Sequence, residues 1–93
     1  MKPYRNSTEV IEVVLDATQE KGREGIRVTT LMNRSNLQHT RLKKLLGKLV
    51  GNDLIVEFKV KDRQTYVITE KGIQYLEQYR KFSDLAGSFG LEV

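Results

Sequence analysis

The chain has no cysteine and no tryptophan, one histidine (His39) and one proline (Pro3). Without cysteine there are no disulfide staples, thiolate metal sites or thiol nucleophiles. A lone histidine does not assemble the clusters that zinc centres and nucleophilic triads require. No run approaches the ~18 apolar residues of a membrane-spanning helix. The opening segment Met1-Lys2-Pro3-Tyr4-Arg5-Asn6 lacks the apolar core of a secretory leader. These absences set the expectation of a cytoplasmic protein with no metal, no cofactor, no membrane association and no enzymatic activity.

The most informative absence is acidic. Residues 25–52 contain no aspartate or glutamate, although the chain holds 12 of them. The same stretch carries Arg27, Arg34, Arg41, Lys43, Lys44 and Lys48, a charge of +6 against +4 for the whole molecule. The remainder of the chain is therefore net negative. A surface that meets a polyanion has to be free of carboxylates, because each would repel phosphate. The placement of charge, more than its modest total, points to nucleic acid.

With 93 residues, 39% hydrophobic and 30% charged, the chain has the composition of one small globular domain with a single core. Asn6 and Glu9 have the spacing of a capping box, and the helix that follows turns Val10, Val14 and Ala17 inward, with Ile11, Val13 and Leu15 widening the apolar face. Its other face carries Glu9, Glu12, Asp16 and Glu20, read as a solvated row, and Lys21-Gly22 ends it. A short extended piece, Ile26-Arg27-Val28, leads to a brief helix that Thr29 or Thr30 would cap, containing Leu31 and Met32. Ser35-Asn36-Leu37 reads as a turn, and residues 38–50 as a helix with the stripe Leu42, Leu45, Leu46 and Leu49.

The period then changes to two. Leu54, Val56, Phe58 and Val60 alternate with Ile55, Glu57, Lys59 and Lys61, the pattern of a half-buried strand. Asp62-Arg63-Gln64 reads as the turn and residues 65–68 as the return strand. Thr69 is placed to cap a last helix over 70–82, and two glycines mark residues 83–93 as a weakly ordered tail. The order helix, short strand, helix, turn, helix, hairpin, helix is α+β. It corresponds to a winged helix-turn-helix over residues 1–82: a three-helix core with a β-hairpin wing and a C-terminal helix.

The runs Ser35-Asn36-Leu37-Gln38-His39-Thr40-Arg41-Leu42-Lys43-Lys44-Leu45-Leu46 and Leu49-Val50-Gly51-Asn52-Asp53-Leu54-Ile55 resemble the third helix and first wing strand of small archaeal winged-helix DNA-binding proteins. Tyr66-Val67-Ile68-Thr69-Glu70-Lys71-Gly72 resembles the junction from wing to last helix in that family. The resemblance covers about residues 9–82 and implies double-stranded DNA as partner, with a role in transcription regulation or chromatin architecture. Some members are dimeric chromatin-type proteins joined by a coiled coil of the final helix; here Ser83-Asp84, Gly87 and Gly90 interrupt that region.

On this reading Gln38, His39, Thr40 and Arg41 lie at the end of the third helix that reaches base edges. Lys43, Lys44 and Lys48 suit phosphate. Arg34 precedes the turn and would touch the flanking backbone, while Lys61 and Arg63 would bring the wing onto DNA. The apolar width of the first helix, with Tyr75, Tyr79 and Phe82 on the last, suggests a homodimer through those two helices and a nucleoid-associated protein. The alternative is a winged-helix protein-interaction module of the transcription machinery. Single-stranded nucleic acid is less favoured, because the basic stretch has no aromatic residue for stacking on bases.

Overall fold

The computed structural model describes residues 7–91, so the expected cap by Asn6 lies outside the described residues. The elements are α1 (Ser7–Lys21), a single 3₁₀ turn (Gly22–Glu24), β1 (Ile26–Arg27), α2 (Val28–Ser35), α3 (His39–Gly51), β2 (Ile55–Val60), β3 (Arg63–Ile68) and α4 (Glu70–Ser88). The strands form one antiparallel sheet in the order β1-β3-β2, which leaves β2 at an edge. Every helix and strand contributes to one core. Val14, Leu15 and Ala17 come from α1, Leu31 from α2, and Leu42, Leu46 and Leu49 from α3; Ile26, Ile55 and Tyr66 close it from the sheet, and Leu76 from α4.

The turn between α2 and α3 depends on Asn36, which adopts the left-handed conformation (φ 60°) and donates its backbone N–H to the Met32 carbonyl at 2.8 Å. Asparagine tolerates that conformation better than most residues. Ser35, just before it, is fully buried, and its hydroxyl donates to the Leu31 carbonyl at 2.6 Å. The second helix starts earlier than expected. Arg27 is its N-cap and makes no side-chain cap bond, so Thr29 and Thr30 sit inside the first turn instead of capping it.

The hairpin turn is Lys61-Asp62, both with positive φ (53° and 65°), so Arg63 and Gln64 belong to β3 and not to the turn. Two left-handed residues between Val60 and its partner Arg63 make the tight hairpin connection that matches strand twist. The expected burial of β2 is reversed. Ile55 is buried, whereas Val56, Phe58 and Val60 are 47%, 39% and 37% exposed. Alternation identified an apolar face correctly but not whether anything covers it: α3 meets the hairpin on the opposite face, where Lys43 bonds to Gln64 and Tyr66, the partners of Lys59 and Glu57.

Two ion-paired groups also depart from expectation. The acidic row on α1 is not simply solvated: Arg80 of α4 pairs with Asp16 and lies 4.0 Å from Glu12, and Glu20 pairs with Arg34. Burial, reinforced by the neighbouring Asp16 charge, raises the Glu12 carboxyl above its usual range against the opposing pull of Arg80. The last helix runs to Ser88 instead of stopping near Phe82, with Ala86 buried on its inner side. Gly87 falls in the last turn, and a glycine costs a helix only about 1 kcal/mol, which is too little to stop it near Phe82.

The junction of wing and last helix follows the sequence closely. Thr69 Oγ1 accepts the Gly72 backbone N–H at 3.0 Å, and the same hydroxyl donates to the Asp53 carbonyl at 2.6 Å. Gly72 is buried where a side-chain carbon would be driven into the Leu54 carbonyl oxygen and within 2.7 Å of Ile68 Cγ1. Backbone does not yield as a flexible side chain does. Gly72→Ala should therefore lower stability by about 2 kcal/mol, as overpacking does, despite the better helix propensity of alanine. Urea unfolding at an unchanged or higher midpoint would contradict this packing.

Candidate nucleic-acid interface

Helix α3 divides cleanly by burial. Leu42, Leu46 and Leu49 are in the core, while His39, Thr40, Arg41, Lys44 and Lys48 are exposed, with Gln38 exposed at the N-cap. This polar face is continuous at helical spacing, 40, 41, 44 and 48. The N-caps of α2 and α3, Arg27 and Gln38, make no side-chain cap bond.

The start of α3 does not stand alone. An open groove of about 460 Å³ is lined by Arg27, Val28 and Thr29 from the β1–α2 junction, His39 from α3, and Asp62, Arg63 and Gln64 from the wing. Three chain segments far apart in sequence thus converge on one cleft with Arg27, Arg63 and His39 at its walls. Asp62 is the single carboxylate there, and it sits in the turn itself. Lys61 is exposed in the same turn.

Two of the residues read as phosphate contacts have other work. Lys43 is half-buried, and its ammonium donates to Gln64 Oε1 at 2.5 Å and to the Tyr66 hydroxyl at 3.4 Å. That hydroxyl in turn donates to Glu57 Oε2 at 3.1 Å. Burial, with the Glu57 carboxylate beside it, pushes the Tyr66 phenol up to about 12, so it remains a donor across the physiological range. Lys43 therefore fastens α3 to β3, and Tyr66 carries the connection on to Glu57 of β2. Arg34 is held by Glu20 at 2.7 Å, 14 residues back on α1. Both partners are exposed, a pairing worth little to stability, but it orients Arg34 toward α1.

Arg27, which is not among the contact residues expected from the sequence, lines the groove. Its signal was its position in the acid-free stretch; the missing information was the antiparallel pairing with Thr65 that brings β1 beside the wing. None of Arg27, Arg41, Lys44, Lys48, Lys61 and Arg63 has an ion-pair partner among the described residues. No group of residues among those described has the arrangement to hold a metal ion, and no described helix is long and apolar enough to cross a membrane.

Comparison with known proteins agrees with this architecture. Sso10a-2, a DNA-binding protein from Sulfolobus solfataricus, superposes with a TM-score of 0.76 at 21% identity over 91% of this chain and 85% of its own. AF1382 from Archaeoglobus fulgidus gives a TM-score of 0.71 at 13% identity, over 87% of this chain and 90% of that one. BpsR from Bordetella bronchiseptica, whose DNA binding is regulated by 6-hydroxynicotinic acid, gives 0.74 at 14% identity, over 85% of this chain and 57% of that one. No curated protein matches the chain by sequence. A family profile described as winged helix-turn-helix matches residues 4–87. Most of the sequence is covered by that match, and the chain belongs to the winged helix-turn-helix family.

Proposed function

We propose that this protein binds double-stranded DNA, with α3 in the major groove and the wing along the adjoining backbone, as a transcriptional regulator or chromatin-type architectural protein without enzymatic activity. The observation that carries this reading is the convergence of the exposed first turn of α3 with Arg27 and the wing residue Arg63 around one groove. Gln38, His39, Thr40 and Arg41 are the base-edge candidates, since glutamine suits adenine and arginine suits guanine. Lys44, Lys48, Lys61, Arg63 and Arg27 supply phosphate contacts. Lys43 acts one step back by fixing the wing, and Arg34 reaches phosphate only by giving up Glu20.

The protein acts as a homodimer joined through α1 and α4. Phe82 and Leu85 on the outer part of α4, with Phe89 at its C-cap, are 56%, 57% and 71% exposed, an apolar run that a second copy would cover. Acids on α1 and cations on α3 make the domain dipolar, which turns the basic side toward DNA during approach. Such a protein resides in the cytoplasm, on the nucleoid.

The test is a salt titration of duplex binding. About six phosphates neutralised per domain give a log–log slope near −5; a slope near zero removes this reading. Arg41→Glu with Lys44→Glu should abolish duplex retention while leaving the folded circular dichroism spectrum intact. Unchanged retention would favour the alternative, a protein-interaction module.

Lys43 and Lys44 separate positioning from contact. Lys44→Ala should reduce the salt slope by about 1 and leave the urea midpoint unchanged. Lys43→Ala should instead lower stability by about 1 kcal/mol, the usual worth of a hydrogen bond in a partly buried site. The reverse pattern would show Lys43 to be the phosphate ligand.

A further inference from the structure

The outer row of the wing is unexplained by either the core or the groove. β2 is an edge strand, and among the described residues nothing pairs with its free side. It is six residues long, and its apolar members Val56, Phe58 and Val60 are all exposed. Edge strands of this kind are templates for further pairing. Natural edges are usually guarded by charge, and here the two central charges are opposite: Glu57 and Lys59.

That pair of charges specifies a register. Two copies of β2 related by a two-fold axis normal to the sheet run antiparallel, with like-facing residues opposite one another. Centring the axis on residue 57 sets Glu57 against Glu57 of the second copy, and centring it on 59 sets lysine against lysine. Centring it on Phe58 places Glu57 opposite Lys59, Val56 opposite Val60, and Phe58 opposite itself. Opposite charges and apolar pairs directly across antiparallel strands stabilise the pairing, whereas like charges oppose it. On one face the pairing brings the two exposed apolar rows together; on the other it neutralises four charges. The strand is self-complementary in one register only of these three.

We propose that the free edge of β2 is a self-association surface, on which a second copy of this chain pairs antiparallel through its own β2 with Phe58 at the two-fold axis. The surface is separate from α1 and α4, so it exists whether or not those helices join a dimer. It is also distinct from DNA contact, and its test contains no DNA.

The absence of native cysteine makes the register directly measurable. Val56→Cys and Val60→Cys chains, one of them tagged, are mixed under mild oxidation and the disulfide products separated by mass. Directly opposed residues in antiparallel strands are about 4.5–5.5 Å apart between Cα atoms, within disulfide reach. Within either single variant the two thiols are four residues out of register, roughly 13 Å apart, beyond that reach. The expected result is the mixed 56–60 disulfide as the dominant product, with little homodisulfide from either variant alone. Lys59→Glu in both chains sets glutamate against glutamate and should abolish the cross-link, whereas Lys59→Arg, which keeps the charges opposite, should retain it. Cross-linking in equal amounts within each variant, no cross-linking at all, or indifference to Lys59→Glu would each overturn the proposal. Circular dichroism of each variant before oxidation separates unfolding from loss of pairing: an unfolded variant is replaced by Phe58→Cys, whose self-disulfide at the axis is expected, and its absence counts against the proposal equally.

Discussion

The groove exists because the wing is held against α3, and Tyr66 is the residue through which that hold passes. It lies in β3 opposite Ile26 of β1 and Glu57 of β2, and its hydroxyl lies between Glu57 and the Lys43 ammonium. The ring is almost wholly buried, so it is core and linker together. Polar groups in such a place have to be paired, because an unmatched buried donor or acceptor costs more than the bond contributes. Here none is left unmatched among the described side chains. The consequence is a defined distance between the α3 N-terminus and the wing tip, set by a short chain of hydrogen bonds instead of by flexible loops.

Charge then follows geometry. Lys43 and Arg34 are engaged by Gln64 and Glu20, and the cations without such partners flank the groove and the outer face of α3. Arg80 has a parallel role on the far side, where it joins the acidic face of α1 to α4. Exposed pairs such as these contribute little energy. Their effect is to sort charge, leaving a basic groove with Asp62 as its single carboxylate and an opposite side whose acids are mostly engaged.

Much of this was legible from residue order. The leucine stripe of α3, the Ser35-Asn36 turn and the Thr69–Gly72 junction are local patterns with local causes: helical periodicity, a tolerated left-handed asparagine, a hydroxyl cap and a glycine under a carbonyl. What escaped was decided by distant partners. The value of Lys43 depended on where Gln64 and Tyr66 fold back, 21 and 23 residues later, and that of Arg34 on the end of α1. The β2 alternation marked an apolar face, yet α3 packs on the other one, where Lys43 meets Gln64 and Tyr66 opposite Lys59 and Glu57. The length of α4 turned on the burial of Ala86, which a scatter of glycines obscured.

The central claim is that the first turn of α3, the β1–α2 junction and the wing tip form one surface and that duplex DNA occupies it. Amide chemical shifts followed by NMR during titration with a short duplex test this most directly. The account predicts that Arg27, His39, Arg41 and Arg63 shift together along a single binding curve, while Glu12 and Asp16 on α1 stay in place. Shifts confined to α1 and α4, or movement of the α3 amides without those of Arg27 and Arg63, would contradict it.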